Sequence, residues 1–274
     1  MKSIFHDSLV LLKGAGDLGT GVAYRLHRAG FPVIITELAQ PLVVRRTVAF
    51  ASAVYDGTIT VEGVTARRAE SFDEAKKFLD DKIIPVLVDP ETHAREFFKP
   101  SVLIDAIMAK RNTGTRITDA PFVLALGPGF TPASRVDCHA VIETQRGHNL
   151  GRVWWDRPAE PNSGTPGEIG GKSSERVLRA PCDGVVKKRM EIGDWVARDK
   201  VIADVGECEV RAPFDGILRG LMHDGIQVKA GMKIGDIDAR IQRENCFTIS
   251  DKSLAIGGGA VEAVLTWMNQ AKAG

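Results

Sequence analysis

Two stretches toward the C-terminal end of this chain are near-copies of each other. Ala180-Pro181-Cys182-Asp183-Gly184-Val185 is answered by Ala212-Pro213-Phe214-Asp215-Gly216-Ile217, an offset of 32 residues. The same offset pairs Met190 with Met222, Gly193 with Gly225, Val196 with Val228, Ile202 with Ile234, Asp204 with Asp236 and Val205 with Ile237. A repeat of this length is one supersecondary unit, and stacked arrays need about three copies to bury a continuous core. Two copies satisfy themselves differently: they interlock, each covering the apolar face of the other.

An interlocked pair of short-stranded copies resembles the barrel-sandwich hybrid of biotinyl and lipoyl carrier domains. Such carriers place an attachment lysine on the hairpin between the halves. The joining segment here, Val205-Gly206-Glu207-Cys208-Glu209-Val210-Arg211, contains none. Covalent carriage of biotin or lipoate is therefore not expected.

The rest of the chain alternates strands and helices. Leu9-Val10-Leu11-Leu12 is a continuous apolar run, the pattern of a strand buried on both faces. A helix pattern through Leu18, Val22 and Leu26 ends near Gly30, and Val33-Ile34-Ile35 follows. A helix over 72–81 and strands at 85–88, 102–104 and 122–126 continue the alternation. The pattern predicts an α/β fold: a Rossmann-like doubly wound sheet plus a small all-β barrel-sandwich hybrid module of biotinyl/lipoyl type. The expected division is a nucleotide-binding domain over 1–156, a Gly/Pro-rich linker over 157–176, the two-repeat module over 177–241, and a C-terminal segment over 242–274 that returns to the first domain. Gly257-Gly258-Gly259 interrupts the helix of that tail. Each glycine costs about 1 kcal/mol there, so a close backbone approach is expected.

Charge excludes several classes of partner. Lys and Arg number 36, Asp and Glu 35, for a net charge of +1, which gives no reason to expect nucleic acid or a membrane surface. No apolar run reaches the roughly 18 residues of a membrane span. Cys138, Cys182, Cys208 and Cys246 form no CxxC pair, so neither a disulfide nor a metal site is expected, and a reduced cytoplasm is the simplest setting. Cys182 replaces Phe214 of the second copy and is expected in the core, as is Cys138. The sequence leaves open whether like chains associate.

Gly14-Ala15-Gly16-Asp17-Leu18-Gly19 fits GxGxxG after a strand and at the opening of a helix. Gly14 allows the tight turn, Gly16 the approach of a pyrophosphate, and Gly19 the packing of helix on strand. The helix amides then point at the anion. Asp17 disturbs this unless its carboxylate turns away as a cap. Glu37, at the end of the second strand, is placed to accept a ribose hydroxyl, favouring an NAD-like dinucleotide. Arg45 and Arg46 shortly after can reverse that preference. A second loop, Leu126-Gly127-Pro128-Gly129, offers further backbone amides from Gly127 and Gly129, or is a plain turn. Asp105 ends a strand and leads to Lys110, Arg111, Asn112 and Thr113, which can hold a phosphate or pterin-like ring, or form a solvated loop. His139 beside Glu143 or Asp137 can form an acid/base pair or bind a metal; the preferred reading is hydrogen-bonded surface.

Taken in order, the stretches 13–23, 45–50, 103–106, 109–115, 125–130 and 249–252 resemble the YqeB-type accessory proteins of selenium-dependent molybdenum hydroxylases. The first domain is also similar to molybdenum-cofactor insertion factors of the XdhC/CoxI type. The resemblance implies a maturation factor that binds a nucleotide or molybdopterin (cytosine) dinucleotide and serves a molybdenum hydroxylase client. The chain departs from the family pattern at Ala133-Ser134 and at Cys138. Two other readings stay beside this one: an NAD-dependent oxidoreductase, and a non-catalytic docking protein.

Overall fold

A computed structural model describes residues 3–132, 136–162, 164 and 171–273. Ala133-Ser134 and the linker stretch 165–170 lie outside the described residues. The first strand, β1 (Val10–Lys13), is buried along its whole length. Nothing in it alternates, so both faces need cover. It runs through the glycine turn into α1 (Asp17–Ala29), and the chain returns as β2 (Val33–Glu37). Gly30 ends α1 in the left-handed conformation, its amide bonded back to the last turn, as glycine allows at helix ends. A short helix α2 (Ala53–Asp56) leads to the hairpin β3 (Thr58–Val61) and β4 (Val64–Ala69). Then come α3 (Phe72–Asp80), β5 (Ile84–Val88), α4 (Ala94–Phe98), β6 (Val102–Asp105), β7 (Phe122–Leu126), β8 (Ala140–Ile142) and β9 (Val153–Trp154).

These strands form one nine-stranded sheet in the order β3-β4-β5-β2-β1-β6-β7-β8-β9. The strands from β4 to β8 are parallel, while β3 and β9 close the two edges antiparallel. The expected fold class is corrected by this topology: the sheet is mixed, not a Rossmann-like doubly wound sheet. A doubly wound sheet needs a helical crossover after each strand. Between β6 and β7 there is only a short 3₁₀ turn, Ile117–Asp119. The strands read the same in sequence whether or not a helix follows them, so the local β1-α1-β2 unit was extended too far. Cover for β7, β8 and β9 comes from the far end of the chain, from α5 (Asp251–Ala273).

The glycines of α5 explain how it fits. A Cβ at Gly257 would fall on the Gly21 carbonyl of α1, and one at Gly259 on the Gly151 carbonyl. One at Gly258 would meet nothing within 4 Å. Two of the three glycines therefore buy close packing, and the middle one does not.

The repeat module contains β10 (Val177–Arg179), β11 (Gly184–Lys188), β12 (Trp195–Val196), β13 (Val201–Val205), β14 (Cys208–Arg211), β15 (Gly216–Leu221), β16 (Gln227–Val228) and β17 (Lys233–Asp238). They form two four-stranded antiparallel sheets, β10-β17-β15-β12 and β14-β13-β11-β16. The barrel-sandwich hybrid of carrier type is corrected to this pair of sheets. The repeat predicts that two copies pair, but not how their sheets close. Under the 32-residue offset β11 corresponds to β15, β12 to β16 and β13 to β17. β10 likewise corresponds to β14, so each sheet takes its two central strands from one copy and both edge strands from the other. Leu178, Val186, Ile202, Val205, Leu218, Ile234 and Ile237 fill the space between, each worth about 1.5–3 kcal/mol of burial.

The expectation of no disulfide is also corrected: Cys182 and Cys208 are bonded, their Cα atoms 6.4 Å apart across 26 residues of sequence. Spacing along the chain carries no sign of it, because the interlocked strands bring the two cysteines together. Cys138 and Cys246 are free and buried. Burial first, then the charges of Asp137 and Asp105, push the Cys138 thiol up to about 12, so it stays protonated and unreactive.

The module is tied to the segment after β2 by one main-chain and one side-chain bond. Leu221 donates its amide to the Val44 carbonyl at 2.9 Å, and Arg46 donates Nε to the Leu221 carbonyl at 2.7 Å. Tyr55 stacks on His223 with ring centroids 4.2 Å apart. No helix among the described residues is long and apolar enough to cross a membrane.

The three glycines of α5 give a direct check. Gly258→Ala should raise stability by up to about 1 kcal/mol, while Gly257→Ala and Gly259→Ala should each lower it by about 1–3 kcal/mol through overpacking. Urea unfolding of the three variants measures this; equal effects at all three positions would refute the packing described.

Candidate functional site

The C-terminal ends of β1, β2 and β6 open into a cleft of about 870 Å³. Its floor is the turn from β1 into α1. Its opposite wall comes from the repeat module and the start of α5, through Arg176, Arg219, Lys233, Asp236, Ser250 and Lys252.

The glycines of the turn are there for different reasons. Gly14 has φ +82°, and a Cβ would press on the Ile107 backbone at 3.2 Å. A Cβ at Gly19 would fall on the Gly14 carbonyl. Both are required by the fold. Gly16 is different: its φ of −63° suits any residue, and a Cβ would meet only Val43, at 3.6 Å. Neither backbone nor packing demands glycine there; its absent side chain leaves the approach to the helix start unobstructed. No side chain caps α1, and the amides of Gly16, Asp17 and Leu18 donate to no other described residue. Leu18 itself is half-buried against the sheet core and lines the cleft.

Asp17 does not face a ligand with a bare charge. Its carboxylate accepts from Arg45 Nη1 at 3.0 Å through both oxygens, and from Ser253 Oγ at 2.9 Å. Arg45 also donates from Nη2 to the carbonyls of Asn245 and Thr248, at 2.9 and 3.1 Å. Its buried guanidinium thus joins the start of α1 to the segment that enters α5. Arg46 turns to the module instead. Glu37 accepts from the amides of Ala15 and Leu38, at 2.7 and 3.0 Å, and burial raises its pKa. Each of its oxygens has one further lone pair for an incoming hydroxyl. At the end of β1, Lys13 stands opposite Asp105 of β6 in the sheet register. Their charges lie 3.7 Å apart, and Thr115 bridges them, accepting from Lys13 at 2.7 Å and donating to Asp105 at 2.6 Å.

Several expected residues prove structural. Asn112 folds its own loop, accepting from the amides of Gly114 and Thr115 and donating to Asp137. Arg111 is exposed and presses its backbone on Gly129; Lys110 reaches the cleft. The Gly127 amide is already bonded to the Ile142 carbonyl. Of that turn, Pro128 lines the cleft, while Gly127 and Gly129 do not. His139 accepts the Val123 amide on Nδ1 at 3.0 Å. Glu143 is fully buried and accepts from the amides of Gln145 and Glu160, both at 2.7 Å. The long alternating strand that would have paired His139 with Glu143 is absent: β8 spans only Ala140–Ile142.

The cations of the opposite wall were not read from the sequence. Arg219 interrupts Gly-Ile-Leu-Arg-Gly-Leu, every residue of which is buried. A cation inside a fully apolar strand was the available signal. Its counterpart in the first copy is Lys187, in a strand with exposed positions, so the repeat made it look like ordinary surface. Burial, and then Arg146, lower the pKa of Lys252; burial lowers that of Lys233.

The chain matches no protein-family model. It is 51% identical over 262 residues to a protein of Escherichia coli (strain K12) named Uncharacterized protein YqeB. That match covers 96% of this chain and 48% of the relative, so the chain spans about half the length of the curated relative it matches. The resemblance to YqeB is thereby shown. The relative's name mentions neither selenium nor molybdenum, and the expected link to selenium-dependent molybdenum hydroxylases finds no support in it. Among solved structures, an aspartoacylase family protein from Mesorhizobium loti is 10% identical, with 84% of each chain covered and a TM-score of 0.27. A succinylglutamate desuccinylase from Silicibacter sp. TM1040 is 13% identical, with 84% of each chain covered and a TM-score of 0.25. At these TM-scores no fold, reaction or substrate is carried over.

Two measurements check the site. Asp17→Asn keeps an acceptor but removes the countercharge of buried Arg45, and should cost about 1–3 kcal/mol in urea unfolding; an unchanged midpoint would discount the junction. For Glu37, a folded pKa above the unfolded value means stability that is full below the unfolded pKa and is lost as pH rises through the folded one. A pH series of unfolding should show that loss in the wild type and not in Glu37→Gln.

Proposed function

We propose that the cleft binds a phosphorylated ligand of nucleotide type. One phosphate rests on the free amides at the start of α1, and a sugar hydroxyl meets Glu37. An NAD-like dinucleotide is what the glycine turn and Glu37 suit, and a molybdopterin cytosine dinucleotide is the alternative that the family resemblance implies. The observation that carries this reading is Gly16, a glycine that the backbone does not need, beside amides left without acceptors. Helix starts of this kind favour anions through both their open N–H groups and the helix dipole.

The reading is of a binding protein that holds its ligand for a client, more than of a catalyst. The five carboxylates lining the cleft already have protein donors. Asp17 and Glu37 were described above. Asp89 accepts the amides of His93 and Ala94, Asp236 accepts from Arg176, and Glu160 from Asn149. A general base needs a lone pair placed on the proton to be taken; Asp17, Asp89, Asp236 and Glu160 are held elsewhere, and the lone pairs left on Glu37 accept the sugar hydroxyl.

Thermal melting with NAD, ADP, CDP and molybdopterin cytosine dinucleotide tests the proposal. A true ligand at about 100 times its dissociation constant stabilises by about 2.7 kcal/mol. Gly16→Val should keep the wild-type melting temperature without ligand and lose the ligand-induced rise. A rise that survives the substitution, or no rise with any of the four compounds, defeats the reading.

A further inference from the structure

Among the described residues three arginines have an enclosed Nε without a hydrogen-bond partner, and of these Arg219 has its carboxylates farthest away. Its side chain is 8% exposed, and its Nε is enclosed without a hydrogen-bond partner. The nearest carboxylates, Asp236 and Asp238, come only to 3.8 and 3.7 Å. Both are committed elsewhere, Asp236 to Arg176 and Asp238 to a bidentate pair with Arg240 at 2.6 to 3.2 Å. A buried guanidinium has five donors and loses heavily if they stay unmet, yet this one lines the cleft.

Two lysines stand on the same wall. Lys233 is exposed to the cleft and Lys252 is half-buried. Neither has a carboxylate within 4 Å among the described residues, whereas Lys13, Arg45, Arg146 and Arg176 are all paired. Arg219, Lys233 and Lys252 all line the same cleft as Gly16, Asp17 and Leu18 at the open start of α1. Two lysines with no carboxylate within 4 Å and an arginine whose carboxylates stand off at 3.7 and 3.8 Å, opposite a helix N-terminus, exceed what a single phosphate monoanion balances.

We infer that Arg219, Lys233 and Lys252 form the second half of a diphosphate-binding site, gripping from the repeat module and α5 the group that the α1 amides hold from below. This rests on the proposed ligand reading and adds the chemistry: the ligand carries a diphosphate, either terminal, as in a nucleoside diphosphate, or internal, as in a dinucleotide. It also gives the module a task, since Arg219 and Lys233 belong to its second copy.

Titration calorimetry on the whole chain tests it with inorganic pyrophosphate, inorganic phosphate, ADP and NAD. Pyrophosphate should bind more tightly than phosphate, and more weakly as salt is raised. Arg219→Met should weaken pyrophosphate by about tenfold to a hundredfold, the loss expected for charged hydrogen bonds. Asp236 and Asp238 keep their own arginines, so the variant should fold; if it does not, Lys233→Gln/Lys252→Gln carries the same test at accessible positions. ADP bound with NAD excluded means a terminal diphosphate; both bound means an internal one is accepted. Unchanged pyrophosphate affinity in the folded variants overturns the inference, as does a wild type blind to all four probes. NAD binding lost in Gly16→Val but untouched by Arg219→Met would leave the nucleotide reading standing and remove this one. Pyrophosphate binding lost in Arg219→Met but kept in Gly16→Val would do the reverse.

Discussion

The buried guanidinium of Arg45 is the contact on which the cleft depends. It takes the carboxylate of Asp17 on one side and the carbonyls of Asn245 and Thr248 on the other. Those partners lie some 28 and 200 residues away in sequence, so one planar fork holds three separate parts of the chain. Breaking a buried pair by removing one partner is strongly destabilising, because the charge left behind has lost its water. Only with this junction in place does the start of α1 lie under the wall formed by the module and α5. The junction also removes the objection that an acidic residue follows the second glycine of the turn: Asp17 spends its charge on Arg45 and leaves its own amide open.

The cleft is assembled from parts with very different sequence separations. The glycine turn is local. Lys13 and Asp105 meet because their strands are neighbours in register. The cations of the far wall arrive by way of two interlocked repeats and a helix that crosses back over the sheet. Charge is graded across the opening, with Lys13 and Arg45 paired at the floor and Lys233 and Lys252 standing without a carboxylate within 4 Å on the opposite wall. An anion entering such a space meets donors already oriented, so little reorganisation is required of the protein when it binds.

What could be read beforehand follows the same division. Gly14, Gly16 and Gly19 were legible because a strand, a turn and a helix in succession leave few other arrangements, and the repeat was legible because its apolar positions recur at a fixed offset. The class of the large sheet was not. The apolar run of β7 looks like any doubly wound strand, and nothing in it says that its cover is α5, more than a hundred residues later. Cys182 and Cys208 were missed for the same reason, since the distance that matters to a sulfur is measured in space. Asn112 and Glu143 were candidate ligand or proton-transfer groups by residue type. Their donors and acceptors turn out to be spent on their own loops, which residue type cannot reveal. Arg219 was hidden by its repeat partner Lys187, an unremarkable exposed residue of β11.

The exchange of edge strands in the module has a bearing on how such a chain can arise. Neither copy holds a complete sheet: β10 and β12 flank the central strands of the second copy, and β14 and β16 those of the first. A polypeptide with one copy would therefore have to borrow its missing edges from a like molecule, giving a twofold pair with the same contact made twice. Joining the two copies in tandem makes that partnership permanent and independent of concentration. It also frees the two halves to diverge, so that one keeps a lysine facing water while the other turns the matching position inward as an arginine.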